Sequence, residues 1–148
     1  MKVGVLMGSP GDREKMAPAV SMLQRFGVEA EERVLSAHRN PEEVASLARA
    51  ARDEGFAAFI CGAGMAAHLA GVVAAHTTLP VVGVPLSGGA LNGLDALYST
   101  VQMPRGVPVA SVAIDGSANA AILVVEMLAI TDEALATRLD EFRAGGAR

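Results

Sequence analysis

Tryptophan is absent, and aromatic residues make up only 3% of the 148 residues. Basic runs are also absent, and the net charge is −4. With neither a cationic patch nor aromatic rings to stack on bases, the chain is not expected to bind nucleic acid. Cysteine occurs once, at Cys61, so no intrachain disulfide can form. Cys61 closes an apolar run and reads as a buried, inert thiol. No apolar run is long enough to span a bilayer. No signal peptide opens the chain, because Lys2 leads straight into a strand pattern and glycine and charges follow within a few residues. The expectation is a cytoplasmic protein with no membrane partner. Repeats, low-complexity stretches and linkers are lacking too, which predicts one domain over residues 1–148.

What the chain has is small apolar residues. Hydrophobic content is 51% with 16 glycines, and mean hydropathy is +0.37. Short apolar runs at 2–7, 28–34, 57–61, 80–84 and 109–114 read as strands. Between and after them, helical spacing predicts helices over about 12–26, 41–54, 65–75, 93–102, 117–129 and 132–144. Met16, Val20, Leu23 and Phe26 share one face of the first helix, and Val44, Leu47, Ala48 and Ala51 one face of the second. Gly27 and Gly55 stop these helices. Strands alternating with helices predict an α/β fold in three layers, a parallel sheet with helices on both faces, in the flavodoxin-like strand order 2-1-3-4-5. In the stretch 118–129 only Glu126 is charged and only Asn119 is otherwise polar, so this helix needs cover on nearly all sides. That predicts a homo-oligomer with residues 117–144 in its contacts. Leu135, Leu139 and Phe142 give the last helix an apolar face for a neighbour or for its own domain.

Ligands of open α/β sheets bind outside the carboxyl ends of the strands. Three turns are predicted there. Ser36-Ala37-His38-Arg39 follows the second strand and precedes a helix with Asn40 at the N-cap, Pro41 at the first position and Glu43 placed for a reciprocal cap. A guanidinium beside a helix N-terminus suits phosphate, and imidazole gives or takes protons near neutral pH. Gly8-Ser9-Pro10-Gly11-Asp12 follows the first strand, with a hydroxyl and a carboxylate for sugar hydroxyls, although either residue can simply cap the helix. Gly62-Ala63-Gly64-Met65-Ala66-Ala67-His68-Leu69 is the third, placing His68 in the first turn of an otherwise apolar helix, where it can equally be a satisfied core residue. The loop 85–92 is long and glycine-rich, as functional loops often are. The stretch Gln102–Gly106, with Arg105, can cover a pocket or be a plain solvated loop.

Other chemistries fit less well. Gly62 to Ala67 matches G-x-G-x-x-A, but on the third strand, and the acidic residue expected about 20 positions on is replaced by Gly83-Val84-Pro85-Leu86. Ser9 lacks a G-x-S-x-G context. His38, His68 and His76 lack metal-ligand spacing. His76 reads as the C-terminal cation of the third helix.

Taken together, residues 7–12, 36–39, 62–69, 83–86 and 98–109 resemble, in order and spacing, the N5-carboxyaminoimidazole ribonucleotide mutases of purine biosynthesis. The resemblance spans nearly the whole chain. It implies a homo-octamer, a small ribonucleotide substrate, and no metal or organic cofactor. The implied reaction moves the N5-carboxylate of the substrate to C4, giving 4-carboxy-5-aminoimidazole ribonucleotide. It implies His38 and His68 as catalytic residues, and Ser9, Asp12, Ser36, Arg39 and Gly64 as substrate-binding ones. Ala66-Ala67-His68-Leu69 and Arg39 resemble the mutase form; Met65 and Ala70 stand where many members have Gly and Pro. The alternatives are a direct carboxylase that uses free carbon dioxide on the same fold, and a non-catalytic flavodoxin-like nucleotide-binding module.

Overall fold

The computed structural model describes residues 1–147; Arg148, the end of the expected domain, lies outside the described residues. Five parallel strands form one sheet: β1 (Lys2–Met7), β2 (Glu29–Val34), β3 (Phe56–Gly64), β4 (Val81–Leu86) and β5 (Ala110–Ser111). Their order is β2-β1-β3-β4-β5, as the sequence predicts. Helices α1 (Arg13–Arg25), α2 (Pro41–Ala50), α3 (Leu69–His76), α4 (Leu94–Val101), α5 (Ser117–Ala129) and α6 (Glu133–Ala144) cover the two faces.

β1, β3 and β4 lie inside the sheet, so both faces of each must be apolar, and they read as unbroken apolar runs. On one face Met16, Leu23 and Phe26 of the first helical segment meet Ala120, Val124 and Val125 of α5 over Val3, Val5 and Ile60. On the other, Val44, Leu47 and Ala48 of α2 and Leu69, Ala70 and Val73 of α3 pack on Leu6, Phe59 and Cys61. Each large side chain so buried stabilises the fold by about 1.5–3 kcal/mol. Cys61 is fully enclosed, and burial pushes its thiol pKa up, as expected for an inert group. The last helix docks on its own chain: the Phe142 ring meets Phe26 edge-on at 5.4 Å.

Three elements differ from the sequence expectation, and α2 ends at Ala50 rather than near 54. The third strand runs on to Gly64 and α3 begins only at Leu69, not near 65. Met65, at φ +52°, turns the chain out of the strand in a conformation that no helix can continue. β5 is two residues long, because beyond it only Val112 N–H to Gly83 O and Asp115 N–H to Pro85 O still tie the chain to β4. α2 lacks the predicted reciprocal cap. The Asn40 side-chain oxygen accepts from Ser36 N–H at 3.4 Å instead, and its amide nitrogen donates to Glu43 Oε1 at 3.4 Å.

Candidate active site

Register sets the site. Met7 is level with Val34 on one side and Gly62 on the other, so the turns after β2 and β3 flank the turn after β1. Backbone bonds extend this pairing beyond the strands: Leu35 N–H to Met7 O at 2.9 Å, and Gly8 N–H to Gly62 O at 3.3 Å. Glycine at position 62 leaves room for Met16 of α1, whose side chain would have to shift if a Cβ stood there. The result is a cleft of about 410 Å³ lined in part by Ser9, Asp12, Ser36, His38, Arg39, Gly64 and His68. Every site residue named from the sequence therefore faces one cavity. Ser87, Gly88 and Gly89 of the loop after β4 form a further wall. The stretch 102–106 does not line this cleft.

In the first turn, Ser9 caps a short 3-10 turn, Pro10–Asp12, with its Oγ accepting from Gly11 N–H at 3.2 Å. Capping does not use up the hydroxyl, which keeps its own proton to donate. Burial raises the Asp12 pKa above the ordinary 3.8, although a hydrogen bond from the Ser9 backbone and the charge of Lys15 pull it down. In the second turn, buried Ala37 anchors the chain and leaves His38 and Arg39 exposed. The Arg39 and Asn40 amides both donate to Ser36 O, fixing the turn tightly. Among the described residues no carboxylate or other acceptor holds the Arg39 guanidinium.

His68 corrects an expectation. It is not embedded in an apolar helix: it is the exposed N-cap residue of α3, and only Ala67 and Leu69 beside it are buried. Its Nδ1 lies 3.2 Å from Nε2 of His38, with ring centroids 5.1 Å apart. In such a bond one ring donates and the other accepts, so the pair holds one proton between them.

Sequence reasoning did not single out Lys15, and it gave Met65 and Gly89 only as members of the third turn and of the loop 85–92. Lys15 follows Asp12 by one helical step, which was the available signal. Among the described residues no cluster of His, Cys, Asp or Glu is placed to hold a metal ion, and no helix is long and apolar enough to cross a membrane.

A family model described as AIR carboxylase matches residues 2–148. The chain is 52% identical over 141 residues to N5-carboxyaminoimidazole ribonucleotide mutase of Saccharolobus solfataricus, covering 95% of this chain and 89% of that one. It is 49% identical over 140 residues to phosphoribosylaminoimidazole carboxylase of Saccharomyces cerevisiae, covering 95% of this chain and 24% of that longer protein. The crystal structure of Treponema denticola PurE matches with a TM-score of 0.87 at 28% identity, covering 99% of this chain and 91% of that one. With nearly its whole length matched, the chain belongs to the AIR carboxylase family.

Proposed function

We propose that this protein is an enzyme of purine biosynthesis, an N5-carboxyaminoimidazole ribonucleotide mutase. The observation that carries the reading is the cleft itself: an uncommitted guanidinium, a hydroxyl-and-carboxylate turn and a proton-sharing imidazole pair meet at one sheet edge. The relatives named as mutases at about half identity support it.

Arg39, with Ser36, takes the phosphate as a bidentate fork near the α2 N-terminus. Ser9 and Asp12 bind the ribose hydroxyls. The Gly64 backbone comes close to the base. The carbamate C–N bond then breaks, and His38 gives its proton to N5 as carbon dioxide leaves. C4 attacks the carbon dioxide, forming the new C–C bond. His38 takes back the C4 proton and the ring regains aromaticity, so no proton is gained or lost overall. His68 holds the moving carboxylate. The third turn and Ser87–Gly89 keep carbon dioxide from escaping between the steps. No metal or organic cofactor takes part.

The working form is a homo-octamer in the cytoplasm, each chain acting as one domain. In the single chain, Leu94, Tyr98 and Val101 form an exposed apolar stripe along α4, with Leu91 beside it. The outer side of α5 is only half covered. Light scattering at micromolar concentration should give the octamer mass; a monomer would end this part of the reading.

The deciding experiment is turnover with each nucleotide, with and without bicarbonate. Consumption of the carbamate nucleotide without bicarbonate is expected. Product only from aminoimidazole ribonucleotide plus bicarbonate would make it the direct carboxylase, the name borne by the yeast relative. Binding of either nucleotide without turnover would make it a binding module.

A further inference from the structure

The Ser87-Gly88-Gly89 wall has little of its own to hold it in place. Gly88 has φ +145° and Gly89 φ +62°, and a Cβ at Gly88 would meet nothing within 4 Å. Gly89 has one near neighbour, Met65, whose Cγ would lie 3.3 Å from a Cβ placed there. Such a backbone is free to move unless its ends are tied.

Ser87 is tied on every polar atom. Its N–H donates to Asp115 Oδ1 at 2.9 Å. Its carbonyl and its hydroxyl both accept from Lys15 Nζ, at 2.5 Å and 2.8 Å. Lys15 is itself anchored, since its carbonyl accepts from the fully buried Ser117 hydroxyl at 2.6 Å. Among the described residues Lys15 makes no ion pair, so the ammonium spends its donors on one serine rather than on a carboxylate. An ordinary surface lysine does neither. Its charge also reaches both walls: it pulls down on the pKa of Asp12, which burial nonetheless raises, and at Asp115, where burial is the largest single influence, it joins the hydrogen bonds from Ser87 that together hold the pKa below its ordinary value.

We propose that Lys15 is a positioning residue, which holds the Ser87-Gly88-Gly89 wall against the substrate cleft by bracing Ser87 from α1. The consequence for catalysis rests on the mutase reading; the brace does not. Lys15 touches no reacting atom and acts through Ser87.

The test is Lys15→Met, which keeps the aliphatic stem and removes the donors. Hydrogen exchange is measured first, on the full chain without substrate. Exchange over 85–92 should rise about tenfold, the scale of one lost charge-assisted hydrogen bond, while β1 and α5 stay as they were. With the carbamate nucleotide, KM should rise about tenfold and kcat fall less, as for a change that acts on binding. Lys15→Arg, which can donate twice, should recover part of both. Ser87→Ala keeps the carbonyl bond and should fall between. Unchanged exchange over 85–92 overturns the brace. So does a rise spread evenly over the molecule with a lower Tm, which marks general destabilisation. A local rise with an unaltered KM overturns the positioning role in catalysis. If the unmodified protein fails to turn over the carbamate nucleotide, the mutase reading fails instead, and the exchange result still decides the brace.

Discussion

Toward the amino end of the sheet, Lys2, which opens β1, and Glu54, which precedes β3, meet Glu31 from the middle of β2 and Arg33 from near its end, and the four charges neutralise one another. Lys2 Nζ lies 2.7 Å from Glu31, Arg33 reaches Glu31 at 2.5 Å, and Glu54 stands 3.9 Å from Arg33. Lys2 also sits 3.9 Å above the Phe56 ring, which stacks on Phe59. At the carboxyl end of the same strands, Arg39 has no such partner, two imidazoles face each other, and Met65 holds a left-handed conformation. The sheet is the same; what differs is whether charge and geometry are already satisfied. The satisfied end serves the fold, and the unsatisfied end is where a charged ligand has something to gain by binding. Substitutions at the two ends should therefore separate, those at the carboxyl end changing activity and those at the amino end changing only stability.

The sharpest separation is expected at the imidazole pair. His38→Asn keeps hydrogen-bonding capacity and removes titration. It should lower turnover by about 10²–10⁴-fold, the usual contribution of general acid–base catalysis, with nucleotide binding and Tm retained. His68→Asn should keep measurably more activity. Steady-state kinetics of both variants across pH, with binding measured separately, checks the roles. Near-normal turnover in the His38 variant, or a worse loss at His68, would reverse them.

Arg39 comes next. Arg39→Ala should weaken nucleotide binding by about 1.5–3 kcal/mol, the scale of a charge-assisted hydrogen bond. Since the guanidinium supports nothing else in the described residues, Tm should not move. Calorimetric titration of the nucleotide and of its dephosphorylated nucleoside makes the point specific. Equal losses for both would mean that phosphate is not what Arg39 binds.

The two ends also differ in how they were legible. The β/α alternation, the strand order and the glycine stop at Gly27 follow from local periodicity and backbone freedom, and the structure has them, while Gly55 turns the chain five residues beyond the end of α2 at Ala50. Once β1 lies between β2 and β3, the convergence of Ser9, Asp12, His38, Arg39 and His68 follows from topology. What did not follow was set by tertiary contact. Lys15 meets Ser87 across 72 positions, and no pattern in either segment announces it. The start of α3 was misplaced because Met65 has no intrinsic preference for positive φ. Asn40 was a good cap by type, but the Ser36 amide competed for its oxygen. The apolar setting expected for His68 failed for a similar reason, since apolar neighbours in sequence are not the same as burial in space.

Met65 offers a smaller effect with the opposite sign. A non-glycine residue at φ +52° carries local strain, and Met65 is 60% exposed, so little burial is lost on truncation. After the extra chain entropy of glycine is subtracted, Met65→Gly should stabilise the fold by about 0.5–1 kcal/mol. Tm should rise by about 1–4 °C. Activity should not rise with it, because the Met65 side chain is the near neighbour of Gly89. A thermal melt beside a kcat/KM measurement tests both halves. A drop in Tm would show that the Met65 contacts outweigh the strain.

The smallest effect belongs to the amino end. The hydrogen bond from Lys2 does most to hold the Glu31 pKa below the ordinary 4.5, with Arg33 adding to it against a modest cost of burial. A carboxylate whose folded pKa is lowered stabilises the protein above its unfolded value and loses that contribution as pH falls through the folded value. The protein should thus be more stable than Glu31→Gln at neutral pH, and the two curves should converge once the pH drops below the folded pKa of Glu31. Because the pairs are partly open to solvent, the gap should be no more than about 1 kcal/mol. It should shrink further in 1 M salt, where screening shortens to about 3 Å. Denaturant melts of both proteins over this pH range supply the measurement, with turnover as the control. If Glu31→Gln changes turnover at neutral pH by more than its stability loss explains, the amino end takes part in function, and the contrast between the two ends of the sheet is wrong.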